Sequence, residues 1–190
     1  MADAPLNIKV ILASTREGRN GEKVARWFYG IAEQHEGINA ELVDLLDWPL
    51  PFFNAAKGPS SGTIAPEAEG WAELIGAADG FVIVTPEYNH GYPAQLKNAI
   101  DHLYHQWVRK PVGFVSYGGG AGGTRAAEQL RTVAIELQMA PIRATVALPM
   151  FSTLFDENGQ VKAESLNDSA RTLLNDLVWW GNALKAAREG

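Results

Sequence analysis

The chain has 190 residues, with 16 Lys and Arg against 22 Asp and Glu, a formal net charge of −6 at pH 7. That balance argues against a nucleic-acid partner, which calls for a basic face. The absence of cysteine removes disulfides, thiolate-ligated metal clusters and thiol nucleophiles. The length suits one domain, 1–190, able to bury a sizeable core.

Strand and helix signals alternate from the start. Ile8–Ala13 is a short apolar run without a basic region before it, so it reads as a first strand and not as a signal peptide. Val24, Trp27, Phe28 and Ile31 then recur at helical spacing. Ala40–Asp44 is a strand with polar alternation, which suits a sheet edge. Leu45 to Ala65 is a long aromatic loop, expected to be a packed lid, a subunit contact or an apolar flap over its own core. A helix carrying Ala68, Trp71, Ala72 and Ile75 leads into Gly80–Thr85, a β-branched run expected to be buried on both faces. Pro93 opens the next helix, whose apolar face is Leu96, Ala99, Ile100 and Leu103. Val112–Ser116 and Ile142–Leu148 are further strands, separated by a helix with Leu130, Val133, Ala134 and Leu137. A last helix carries Leu166, Ala170, Leu173, Leu174 and Leu177. Five strands alternating with helices predict an α/β doubly wound parallel sheet of flavodoxin-like order 2-1-3-4-5, its switch point between strands 1 and 3. No apolar stretch approaches the roughly 20 residues of a membrane span, and the reading is of a cytoplasmic protein with no membrane partner.

Three loops at the carboxyl ends of these strands carry the chemistry. After strand 1, Ser14, Arg16, Arg19, Asn20 and Gly21 precede a helix: hydroxyl, guanidinium and backbone N–H donors at a helix amino terminus hold a phosphate. No Gly-Lys-Ser/Thr follows, so this is not a triphosphatase loop. After strand 3, Pro86, Glu87, Tyr88 and Asn89, followed by His90-Gly91-Tyr92, offer an aromatic body with amide and carboxylate groups for the edge of a planar heterocycle. After strand 4, Ser116 and Tyr117 run into Gly118 to Gly123, where backbone can approach a ligand closely. Its match to a dinucleotide fingerprint is nearly automatic in so glycine-rich a run, and no ribose-binding acid ends the next strand. In a 2-1-3-4-5 sheet these loops converge, and flavin mononucleotide (FMN) suits them: phosphate at one end, flat polar ring at the other.

The motifs Ser14-x-Arg16-x-Gly18-Arg19-x-Gly21, Pro86-Glu87-Tyr88-Asn89 and Leu96-Lys97-Asn98-Ala99-Ile100-Asp101 resemble those of the NADPH-dependent FMN reductase family, flavodoxin-like quinone, chromate and azo-dye reductases. The resemblance runs from about Lys9 to Leu148. It implies non-covalent FMN, with NADPH or NADH as co-substrate. Ser14, Arg16 and Arg19 with nearby amides would hold the phosphate, Pro86 to Asn89 would line the ring, and Ser116 with Gly118 would complete the pocket. Some members have Gly where this chain has Ala13 and Ser where it has Arg19, and the second difference leaves open which side chain meets the phosphate. The implied mechanism is ping-pong hydride transfer to a small-molecule electron acceptor, with no protein acid or base. A homodimer or homotetramer is implied too.

Other readings are weaker. Gly113 to Gly118 is one residue away from a hydrolase nucleophile elbow, but all four histidines precede Ser116, against that fold's usual order. His102 and His105 beside Asp101 could ligate a metal, but better suit a helix surface or subunit contact. A receiver domain needs acids where Ser14 and Thr85 stand. A flavodoxin-like electron carrier or flavin redox sensor is the non-enzymatic alternative.

Overall fold

A computed structural model describes residues 4–190 of the chain. Five strands, β1 (Leu6–Leu12), β2 (Ile38–Asp44), β3 (Gly80–Pro86), β4 (Pro111–Tyr117) and β5 (Ala140–Leu148), pair in parallel in the order β2-β1-β3-β4-β5. The helices are α1 (Gly21–Ala32), α2 (Glu69–Gly76), α3 (Ala94–Asp101), α4 (Thr124–Glu136) and α5 (Glu164–Glu189). This is the predicted flavodoxin-like arrangement. Pro93 caps α3 from outside; it does not lie in its first turn.

Side-chain alternation along the central strands sends each face to a different set of helices. Ile8, Val10, Leu12, Val82 and Val84 meet α1 and α5 through Val24, Phe28, Leu173, Leu174 and Leu177. Ile11, Phe81 and Ile83 face the other way, onto Trp71, Ile75, Leu96, Ile100 and Leu130 of α2, α3 and α4. β3 and β4 are buried at every position, as strands covered on both sides must be. Each fully buried Leu, Ile or Phe here contributes roughly 1.5–3 kcal/mol. β2 lies at the edge, where Lys9 reaches across the register to its partner Glu41.

The long loop from 45 to 65 is packed onto the domain. Asn98 of α3 accepts from Phe53 N–H at 2.9 Å and donates to the Pro51 carbonyl at 2.9 Å. His102 bonds the same carbonyl at 2.8 Å, and Trp48 stacks at a tilt on Trp71, 5.5 Å between centroids. His105 approaches the Ser60 carbonyl at 3.2 Å. The two histidines thus hold a flap within the chain. Among the described residues no group of His, Asp or Glu side chains is arranged to hold a metal ion, and no helix is long and apolar enough to cross a membrane.

Candidate functional site

The carboxyl ends of β1, β3 and β4 open into one cavity of about 240 Å³. Ser14, Arg16, Arg19 and Asn20 line it from the first loop, Pro86, Glu87 and Tyr88 from the second, and Tyr117, Gly118 and Gly119 from the third. Phe151, from the turn after β5, closes the remaining side.

The cationic end is built by the loop before α1. Asn20 stands at the N-cap without a side-chain capping bond, so the first N–H groups of α1 keep their donor capacity. Arg19 N–H donates to the Arg16 carbonyl at 3.1 Å, closing a turn in which Gly18 adopts φ +64°. Glycine tolerates that left-handed geometry without strain. Arg16 stands exposed on this turn, and among the described residues its guanidinium has no hydrogen-bond partner. Arg19 is placed differently. Its fork grips both carboxylate oxygens of Asp44, with Nη1 to Oδ1 at 2.6 Å, and Nη1 also donates to the Ser14 carbonyl at 2.8 Å. The hydrogen bonds Arg19 donates to Asp44 raise its pKa further, against the opposing effect of burial. Its charge is always present and locally neutralised.

The other end is aromatic. Tyr88 and Ser14 share a hydroxyl–hydroxyl hydrogen bond of 2.7 Å, joining the second loop to the first. Tyr117 and Phe151 meet edge to face at 5.4 Å. Burial raises the Tyr117 phenol above its ordinary pKa, so it stays protonated through the physiological range. Glu87 accepts from Arg125 Nη1 at 2.5 Å and from Arg125 N–H at 3.2 Å. Burial pushes the carboxyl up, but those bonds outweigh it and leave its pKa below the usual range. Glu87 is therefore an ionised wall of the cavity, already partnered, and poorly suited to shuttle protons.

Eight of the eleven residues expected from the sequence line the cavity, and Gly21, Asn89 and Ser116 do not. Asn89 and His90, at φ 50° and 66°, occupy the centre of a tight turn closed by reciprocal Tyr88–Gly91 backbone bonds of 2.8 and 3.0 Å. Asn89 stands at the exposed tip of that turn. Ser116 is fully buried and donates to the Gly122 carbonyl at 2.9 Å, which shapes the glycine loop and removes it as a nucleophile. Gly21 acts by omission: a Cβ there would run into the Tyr117 hydroxyl and Leu12 Cδ1.

Tyr117, Gly119, Phe151 and Asp44 are not singled out by the sequence as site residues. Tyr117 and Gly119 adjoin Gly118 in the third loop and could have been included on that ground. Asp44 is an acid at the end of a strand adjacent to β1, which is a weaker signal. Phe151 has none, because a turn after β5 brings it back across the cavity.

The donor chemistry fits a phosphorylated flat ring. Cation, hydroxyl and open helix amides sit at one end, and aromatic walls with backbone-only glycines at the other. A Cβ on Gly119 would meet nothing within 4 Å, so the loop leaves open space there.

Comparison with known proteins points the same way. The NADPH-dependent FMN reductase family matches residues 6–153. An NAD(P)H-dependent FMN reductase of Schizosaccharomyces pombe is 42% identical over 147 residues, which cover 75% of this chain and 73% of that protein. An NAD(P)H:quinone oxidoreductase of Solanum tuberosum is 34% identical over 144 residues, 73% of each chain. Among solved structures, FerB of Paracoccus denitrificans, an NAD(P)H:(acceptor) oxidoreductase, superposes with a TM-score of 0.75 at 20% identity, over 94% of this chain and 98% of its own, and shares the fold. The chain belongs to the NADPH-dependent FMN reductase family: it is an oxidoreductase that works with FMN and a nicotinamide nucleotide.

Proposed function

We propose that the chain, as one domain, binds a single FMN non-covalently in the cavity at the ends of β1, β3 and β4, and reduces a small acceptor by a ping-pong mechanism. One observation supports this above all: the cavity joins the uncapped N-cap Asn20 of α1 and Arg16, unpartnered among the described residues, to an aromatic, glycine-backed wall. When bound, FMN supplies the redox chemistry, taking a hydride from NADPH or NADH and passing the electrons on.

The residues of the chain bind and orient. Arg16, Ser14 and the loop and helix amides would hold the phosphate. Pro86, Glu87 and Tyr88 of the second loop, with Tyr117, Gly118, Gly119 and Phe151, would line the ring. Backbone N–H groups of these loops are suited to stabilise negative charge on the reduced ring, as an oxyanion hole does. Ligand cavities commonly run from about 300 to 1,000 Å³. At about 240 Å³ this one is smaller, which favours a cofactor left partly open to a second reactant. One exposed face visited in turn by nicotinamide and acceptor requires ping-pong kinetics.

A quinone is the first acceptor to test, with free flavin, azo compounds and metal oxyanions after it. Purified protein is expected to be yellow, to bleach on addition of NADPH and to regain colour with a quinone. Steady-state velocities should give parallel double-reciprocal lines; intersecting lines would exclude a single shared face. We also read the chain as a cytoplasmic homodimer or homotetramer. Phe52, 81% exposed, and Leu46, 54% exposed, border an apolar cavity of about 360 Å³ on the flap, which supports a subunit contact there.

A further inference from the structure

We propose that Arg19 and Asp44 form a clamp that shapes the phosphate loop, and that Arg19 is a positioning residue instead of a phosphate ligand. The proposal rests on the FMN reading above and refines which groups do the binding.

The geometry carries it. Asp44 is the last residue of β2, in register with Leu12 at the end of β1, so its backbone is fixed by the sheet. Arg19 meets it with a two-pronged fork, the geometry in which guanidinium and carboxylate bind most strongly. One prong also takes the Ser14 carbonyl, so Arg19 bridges the start of the loop to the sheet. The Arg19 side chain is 11% exposed and that of Asp44 22%. Turning this guanidinium onto a phosphate would strand a largely buried carboxylate, which is costly.

Holding Arg19 also holds Arg16. The Arg19 N–H closes the Arg16–Arg19 turn, so an anchored Arg19 presents Arg16, three residues earlier, with its charge unspent. The two arginines thus have separate roles, one fixing the loop and the other meeting the anion. Asp44 does more than accept the fork. Its Oδ1 also accepts the Leu46 N–H at 2.9 Å, at the root of the flap whose Leu45, Leu46 and Trp48 wall the neighbouring apolar cavity. Thr15 lines that second cavity while Ser14 and Arg16 line the first, so one clamp sets the loop that separates them.

Fluorescence titration of apoprotein with FMN and with riboflavin, which lacks the phosphate, tests the clamp. Arg19→Gln, Asp44→Asn and the double variant should each weaken FMN binding about tenfold or more, the double no worse than either single, because partners in one interaction are not additive. Riboflavin binding should change little. Arg19→Lys should fail to restore FMN affinity, since an ammonium cannot make the fork. A direct phosphate ligand behaves oppositely: Asp44→Asn would leave FMN binding unchanged or tighten it, and Arg19→Lys would keep most of it. Either result overturns the clamp, as does an equal loss of both flavins, which marks general loosening. If Asp44→Asn does not fold, Arg19→Lys alone decides by its FMN-to-riboflavin ratio. A wild-type protein that binds neither flavin overturns the FMN reading itself, an outcome separate from any of these.

Discussion

Two arginines three positions apart, alike in sequence, have opposite surroundings. Arg16 is exposed with its charge available, and Arg19 is spent on Asp44. Arg16→Gln should therefore lower FMN affinity by about 10- to 100-fold, the worth of one charge-assisted contact. The loss should be largest at low ionic strength and absent for riboflavin; equal titration curves for variant and wild type would remove Arg16 from the site. Gly123 matters through its backbone. It sits at φ +81° before α4, and a Cβ would lie 2.7 Å from Tyr117 N and 2.8 Å from Ser116 Cβ. Gly123→Ala combines left-handed strain with a backbone clash and should cost about 2 kcal/mol or more, read from a urea melt.

At the scale of elements, the flap and β5 depend on single side chains. Asn98 satisfies Phe53 N–H and the carbonyls of Leu50 and Pro51 with one side chain. Asn98→Ala should destabilise by about 1–3 kcal/mol, and protease should cut between residues 45 and 65 faster than in wild type. Unchanged cleavage would mean that His102, His105 and the packing of Trp48 on Trp71 secure the flap without Asn98. β5 departs from the uniform strand its sequence suggests. Its pairing with β4 shifts between Val112 and Phe114, so that Pro141 and Thr145 face positions only two apart on β4. Arg131 covers the irregularity, donating to the Ile142 carbonyl at 2.7 Å and the Arg143 carbonyl at 3.3 Å. Capping bare carbonyls on an edge strand discourages further strand addition.

Across the whole molecule, the end of the sheet opposite the cavity is tied by charge. Asp79 accepts Asn7 N–H at 3.0 Å and pairs with Lys185 at 2.9 Å and Arg188 at 3.3 Å, which seats the end of α5. Beside it Lys110, 7% exposed, donates to the Ile75 and Gly76 carbonyls at 2.9 and 2.8 Å and so caps α2. Burial, then the nearby Arg188, lowers its pKa from 10.5 to about 8. The unfolded chain thus binds more protons at Lys110 between pH 8 and 10.5, and its contribution to stability rises with pH across that window. Below pH 8 the amine is charged in both states and the burial cost is fully present. Relative to Lys110→Met, wild-type stability should gain up to about 3 kcal/mol from pH 8 to 10.5; parallel pH curves would refute the shift. Assembly belongs to this scale too. Phe52→Glu should push the oligomer toward monomer in light scattering if the flap is the subunit contact, and leave mass unchanged if it is not.

Much of this is legible in the amino-acid sequence alone. Strand order follows from period-2 and period-3.6 apolar patterns, because burial on two faces or one writes itself into local residue choice. The convergence of three loops follows from that order, and eight residues of the cavity come with it. What stays hidden depends on contacts between segments distant in the chain. Nothing in the spacing of Arg19 and Asp44, of Phe151 and Tyr117, or of Asn98 and Phe53 announces a partner. Which donor is consumed is settled by packing: Asp44 and the Ser14 carbonyl take up the Arg19 guanidinium, and among the described residues that of Arg16 has no such partner.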